Sequence, residues 1–198
     1  MTAAVGPAWL ASTTALVAAA AVAAVGLLVW LVVAFNRLVR ERNLVAEGWS
    51  GIDVQLKRRH NLIPALVEVV KGYSRHERKL LTDIAELRSR SLSAERLKDR
   101  EESENALTDQ LKGLFALAEA YPQLKADRQF LRLAEQLSAI EDQLQMARRY
   151  YNGAVRNYNI RVESFPSNLV AGLFGFKRAE FFQIETATER AAPKVEVS

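Results

Sequence analysis

Cysteine is missing from all 198 residues, which excludes a disulfide framework, a thiolate metal site and a cysteine nucleophile. Charge is missing from one end: no Lys, Arg, Asp or Glu precedes Arg37. Histidine is scarce. His60 and His76 stand roughly 160° apart around a helix that turns about 100° per residue, so one chain cannot bring both to a metal. "HERKL" lacks the second histidine of the HExxH zinc motif, and each histidine is expected at the solvent. No phosphate-cradling loop is present either, because "GLFGF" lacks the lysine and the helix start of that motif, and Gly172 and Gly175 read as turn or packing positions. No spacing pairs a nucleophile with a base. The expectation is a protein without catalytic activity, cofactor or metal.

What is present is hydrophobicity, and it is segregated. A chain that is 49% hydrophobic and 25% charged is too apolar to be disordered and too charged for a polytopic membrane protein. Residues 8–35, "AWLASTTALVAAAAVAAVGLLVWLVVAF", carry no charge, and about 20 such residues cross a bilayer. The reading is a single transmembrane helix. A cleaved signal peptide is the rival, favoured by the small residues and disfavoured by the length of the run and the lack of a basic n-region. Trp9, Trp30 and Phe35 lie near the two ends as interfacial aromatics do, although Trp30 also fits as lipid-facing bulk. Arg37, Arg40 and Arg42 follow the span directly, so the positive-inside rule places residues 1–7 outside and the rest in the cytoplasm of a bacterial cell, anchored in the inner membrane. The net charge of +4 suits an anionic membrane surface and is too small to argue for nucleic acid.

Residues 36–165 read as an antiparallel bundle of three to four long helices, giving an all-α protein. From Val45 to Leu87 apolar residues recur at steps of three and four, with gaps at Arg59 and Glu77, which predicts one long amphipathic helix continuous with the span. Pro64 either kinks this helix or sits in the first turn of one restarted at Asn61. The polar stretch "LSAERLKDREESENA" reads as a loop or a solvated helix start, followed by a helix from about Asn105 to Ala120 that "YPQLKAD" breaks at Pro122. A last stripe runs from Phe130 to Phe165, with Arg161 at one apolar position, and stops before Pro166. Tyr151 and Tyr158 continue that stripe, so the mixed Arg and Tyr of "RRYYNGAVRNYN" reads as core with edge hydroxyls, and nucleic-acid binding is not expected.

Residues 166–184 are apolar and aromatic, and 185–198 read as a disordered tail. The apolar segment either folds back over an open end of the bundle, or dips into the membrane interface or docks a neighbouring subunit. Its Leu173, Phe174, Phe176, Phe181 and Phe182 are candidate partner contacts. Lys57, Arg58 and Arg59 form a second candidate contact. The favoured reading of this cluster is a solvated helix face or intersubunit partners for the acids of "KDREESE", and its charge reaches lipid only if the helix leans over the membrane.

Three stretches resemble the LemA family: "GWSGIDVQLKRRHNLIPALVEVVKGYSRHE", "ALAEAYPQLKAD" and "ARRYYNGAVRNYNIRVESFPSNLVAGLFGFKRAEFF". The chain departs from the usual pattern at Gly48 and Gly51, which implies a looser helix or a close approach by another backbone. The resemblance implies an external N-terminus, one transmembrane helix and a cytoplasmic helical domain. It brings no established activity: some members are similar to proteins of magnetosome membranes, and others tend to sit near membrane proteases. With an anchor, long surfaces and no reactive centre, the chain reads as a membrane-anchored, self-associating scaffold or adaptor whose partners are the bilayer, further copies and another membrane protein. The alternatives are a membrane-remodelling or lipid-sensing module that binds anionic lipid, and an accessory subunit of a membrane protease.

Overall fold

A computed structural model describes residues 8–73 and 77–183, with side chains from residue 13 onward. The described residues are all-helical: α1 (Ala8–Tyr73), α2 (Arg78–Ser93), α3 (Leu97–Ala120), α4 (Pro122–Lys125), α5 (Arg128–Glu163) and α6 (Ser167–Leu173). Residues 1–7, the tail after Gln183, the side chain of Trp9 and residues 74–76 with His76 lie outside this description. The chain divides into two units, one of residues up to Leu44 with Arg156–Ala179, the other of Val45–Val155 with the chain from Glu180.

In the first unit α1 supplies a stretch with a mean hydropathy of 2.8, long and apolar enough to cross a membrane and without buried residues of its own. Beyond that stretch a small core forms where Val170 and Ala171 of α6 meet Ala34 and Leu38 of α1, with Trp30, Leu31, Phe35, Val162 and Phe176 packed around them. Gly175 has φ +71°, the left-handed residue that closes α6. There the Phe176 amide donates to Ala171 O at 2.9 Å, which satisfies a terminal carbonyl of the helix.

The second unit is built on the apolar stripes. Ile63, Leu66 and Val70 of α1, Leu81 and Ile84 of α2, Leu107, Leu111 and Leu114 of α3, Leu124 of α4, and Phe130 and Leu137 of α5 share one core. Asp127 starts α5, its Oδ1 accepting the Gln129 and Phe130 amides at 2.8 and 2.9 Å. The Phe130 amide first, then the Tyr73 hydroxyl donating to Oδ2 at 2.8 Å and the Gln129 amide, hold the Asp127 carboxyl below the usual range.

One expectation is corrected and two open alternatives are decided. The stripe from Val45 to Leu87 belongs to two helices, with α1 ending at Tyr73 and α2 beginning at Arg78, beside the gap that Glu77 leaves in the pattern. Apolar phase reports which side faces the core and is blind to a break that preserves the phase. Pro64 lies inside α1, so no helix restarts at Asn61. The charged stretch after Arg96 is the start of α3 itself, steadied by Asp99 in its first turn and the Arg96–Asp99 pair at 2.7 Å.

Candidate functional site

Arg59 occupies a position where the repeat of α1 calls for an apolar side chain, so the helix carries its guanidinium into the core and leaves it fully buried. A buried charge is tolerable only when paired and hydrogen-bonded. Arg59 Nη2 faces the equally buried carboxylate of Glu104 from α3. Nη1 donates to Thr108 Oγ1 at 2.9 Å and to Glu141 of α5 at 2.7 Å. The Glu104 carboxylate also accepts from His60 Nε2 at 2.7 Å and from the Ser91 hydroxyl of α2. One carboxylate and one guanidinium thus tie four helices of this unit together.

Burial drives the His60 pKa from 6.5 down to about 4, helped by the charges of Arg59, Arg88 and Arg100 and opposed by Asp53. His60 is therefore neutral at pH 7 and donates its one N–H, on Nε2, to Glu104. Its backbone carbonyl accepts from Arg88 Nε at 2.7 Å. In an uninterrupted helix that carbonyl would take the N–H of residue 64, which is a proline and has none. Arg88 supplies the missing donor from α2.

Ser91, His60 and Glu104 are the residue types of an acyl-transfer triad, but they are connected differently. Serine and histidine both bind the carboxylate instead of each other, so the imidazole is not placed to take the serine proton. With Ser91 1% and Glu104 0% exposed, a substrate carbonyl has no approach. This arrangement is suited to fixing helix register.

A second set of polar contacts in the same unit holds the chain after Glu180. Asn152 of α5 donates to Phe182 O at 2.9 Å and accepts the Phe182 amide at 3.0 Å, as a neighbouring strand would. Tyr151 Oη donates to Glu180 O at 2.7 Å. The Phe182 ring is fully buried, edge-on to Trp49 at 5.4 Å, and Trp49 meets Tyr151 at 5.7 Å. Gly48 makes this junction possible, since a Cβ there would stand 2.9 Å from Tyr151 Cα. The close approach implied by glycine in this helix is found at Gly48, whereas Gly51 has only an ordinary contact with Ala147 at 3.9 Å.

In the first unit Asn159 clamps Ala179 in the same way, with both hydrogen bonds at 2.9 Å. Phe174 and Phe176 lie edge-on to Phe35 at 4.8 and 5.7 Å, and the Arg42 guanidinium stands 5.3 Å from the Phe176 ring. Arg161, the cation in the apolar stripe of α5, pairs with Glu41 at 3.6 Å.

Arg37, Arg40, Arg42, Lys57 and Arg58 are exposed, with Lys57 paired to Asp53 at 2.6 Å. Arg59 does not share their surface, and as a partner contact it is corrected to a core ion pair. Its counter-charge lies in the predicted "KDREESE" acids, but within the chain. His60, expected at the solvent, is buried, because it follows Arg59 on the turn that packs against Glu104. Leu173 and Phe174 are exposed, Phe176 is half-buried and Phe181 is 38% exposed, while Phe182 is a core residue unavailable to a partner. Ser91, Asn152 and Asn159 gave no sequence signal as site residues, since polar residues within helices usually face water. The gap at Arg59 in the apolar stripe was the one signal that pointed to the network.

Comparison with known proteins adds a family. A sequence model of the LemA family matches residues 48–197. The chain is similar to Protein LemA of Metamycoplasma hominis, 26% identical over 149 residues that cover 75% of this chain and 68% of the relative. It is also similar to Magnetosome protein MamQ 2 of Paramagnetospirillum magneticum, at 25% identity over 87% of this chain and 73% of that protein. Magnetosome protein MamQ of Magnetospirillum gryphiswaldense is 23% identical over 70% of this chain and 60% of its own.

Proposed function

We propose, from the premise that this chain belongs to the LemA family, that it is a membrane-anchored, non-enzymatic scaffold or adaptor that self-associates and organises proteins at the cytoplasmic face of the bilayer. The observation that carries this reading is the composition of α1. One helix contains both the charge-free apolar stretch and, from Ile52 to Val70, buried residues that contribute to the core of the second unit. The element that would hold the protein in the membrane thus also contributes to the helical core of the second unit.

The strongest charges support the same reading. Arg59 and Glu104 are spent on each other inside the core, which suits a unit that presents a fixed helical surface. Arg37, Arg40 and Arg42, exposed after the apolar stretch, favour a cytoplasmic bundle. The small residues of that stretch, Ala18 to Ala21, Ala23, Ala24 and Gly26, favour close packing between spans of neighbouring copies.

Native mass spectrometry of the full chain, extracted into polymer-bounded lipid discs without detergent, tests the proposal. Particles holding several copies, or copies with a second protein, are expected. Discs that carry one copy and no other protein would overturn it.

A further inference from the structure

We infer that α6 and its flanking residues make a second contact with the membrane, with Phe165, Leu169, Leu173 and Phe174 set among the phospholipids of the leaflet in which the apolar stretch of α1 ends. This rests on the reading of that stretch as a membrane span.

The outer side of α6 is largely apolar, with Ser167 and Asn168 confined to its first turn. Val170 and Ala171 point inward and are buried, while the outward side carries Leu169 and Leu173 at 61% and 74% exposure. Phe165, in the turn that precedes α6, is 80% exposed, and Phe174, just after it, is 56% exposed. Beyond that first turn most of the outer side is leucine and glycine, a surface better matched to an apolar medium than to water.

The position of α6 points the same way. The inward side of α6 rests on Ala34 and Leu38, with Trp30, Leu31 and Phe35 around it, all on the last turns of the apolar stretch or just past it. The rings of Phe35 and Phe174 are 4.8 Å apart. Whatever medium surrounds Val32 and Val33 of α1, which are 52% and 43% exposed, therefore surrounds the outer side of α6 as well.

Charge follows the apolar residues in a fixed order. Gly175 turns the chain out of α6, Phe176 comes to lie beneath the Arg42 guanidinium at 5.3 Å, and Lys177 and Arg178 follow. Arg42 is seven residues beyond Phe35, a rise of about 10 Å along the helix, comparable with the roughly 5–10 Å to which interfacial helices sink their apolar faces. Apolar rings, then an arginine over an aromatic, then the exposed Lys177 and Arg178, the latter paired with Glu163 at 2.9 Å, is the sequence of environments from acyl chains to phosphates.

The cysteine-free sequence allows single labels. Full-length Leu169→Cys, Leu173→Cys and, as a control in the apolar stretch, Val22→Cys would each carry an environment-sensitive fluorophore in phosphatidylcholine and phosphatidylglycerol vesicles. The inference expects severalfold stronger quenching at 169 and 173 by lipids spin-labelled near the headgroup than by aqueous iodide, and quenching at 22 by lipids labelled deep in the chain. Iodide-accessible labels at 169 and 173 with a lipid-buried label at 22 would overturn the inference and leave the anchor standing. Labels at 169 and 173 shielded from both quenchers would also overturn it, because a protein surface would then cover α6. A label at 22 outside the lipid would remove the anchor itself and the inference with it.

Discussion

Arg88 Nε lies 2.7 Å from the carbonyl oxygen of His60, the acceptor that Pro64 leaves without its helical donor. A proline in a helix interior usually costs about 3 kcal/mol, part of which is the orphaned carbonyl. Here the orphan becomes the point at which α2 is fastened to α1.

The two residues should therefore be coupled. Arg88→Leu is expected to destabilise the parent protein by about 1–3 kcal/mol, the range for an unsatisfied buried acceptor. It should cost measurably less in a Pro64→Ala background, where the alanine N–H restores the helical bond. Denaturant unfolding of the four proteins of the cycle, followed by circular dichroism, gives the coupling. Additive effects would show that Arg88 and Pro64 act independently.

Arg59→Met leaves Glu104 buried without its cation, a loss of about 3–5 kcal/mol in comparable sites. Arg59→Met combined with Glu104→Leu removes both charges, and a large part of the stability should return. The same unfolding experiment checks this. A double variant no more stable than the single one would mean that the pair is needed for more than charge balance.

Stability should fall in mild acid. His60 titrates near 4 in the folded chain against 6.5 in the free side chain. Between these pH values the unfolded chain binds a proton that the folded chain refuses, so stability declines as the pH drops from 6.5 to about 4 and then levels as far as this group is concerned. At 1.36 kcal/mol per pKa unit the difference is worth at most about 3 kcal/mol, less what the Glu104 carboxylate 2.7 Å from Nε2 returns to the protonated ring. His60→Gln, which keeps a donor for Glu104, should flatten this part of the profile. Asp127 acts only at lower pH, since its carboxyl titrates below 3.8.

Two glycines should respond in opposite directions to alanine. Gly48→Ala is expected to cost about 1–3 kcal/mol, because its Cβ would meet the Tyr151 backbone at 2.9 Å and overpacked sites lose that much. Gly153→Ala, with nothing within 4 Å of the added carbon, should gain up to about 1 kcal/mol from helix propensity. Thermal unfolding of both variants decides this, and equal shifts would deny the close approach at Gly48.

The helices were largely legible because apolar stripes at Ile52, Ile63, Leu114 and Leu144 report burial directly. The break between Tyr73 and Arg78 was not, because both helices keep one phase across it. The buried network was half legible. Arg59 showed itself as a gap, and the acids that answer it were in view, but a sequence does not say whether such a pair closes within a chain or between chains. The clamps at Asn152 and Asn159 were hidden, since an asparagine on a helix reads as a surface residue until an extended segment is seen beside it.

The central claim is that copies of this chain meet on the membrane. Lysine-reactive crosslinking of native membranes, read by mass spectrometry, addresses it through the exposed Lys57, Lys71, Lys125 and Lys177. The account predicts links that join a peptide to an identical peptide, such as Lys57 to Lys57, which only two copies can form. Links confined to pairs within one chain, with no other protein attached, would contradict it.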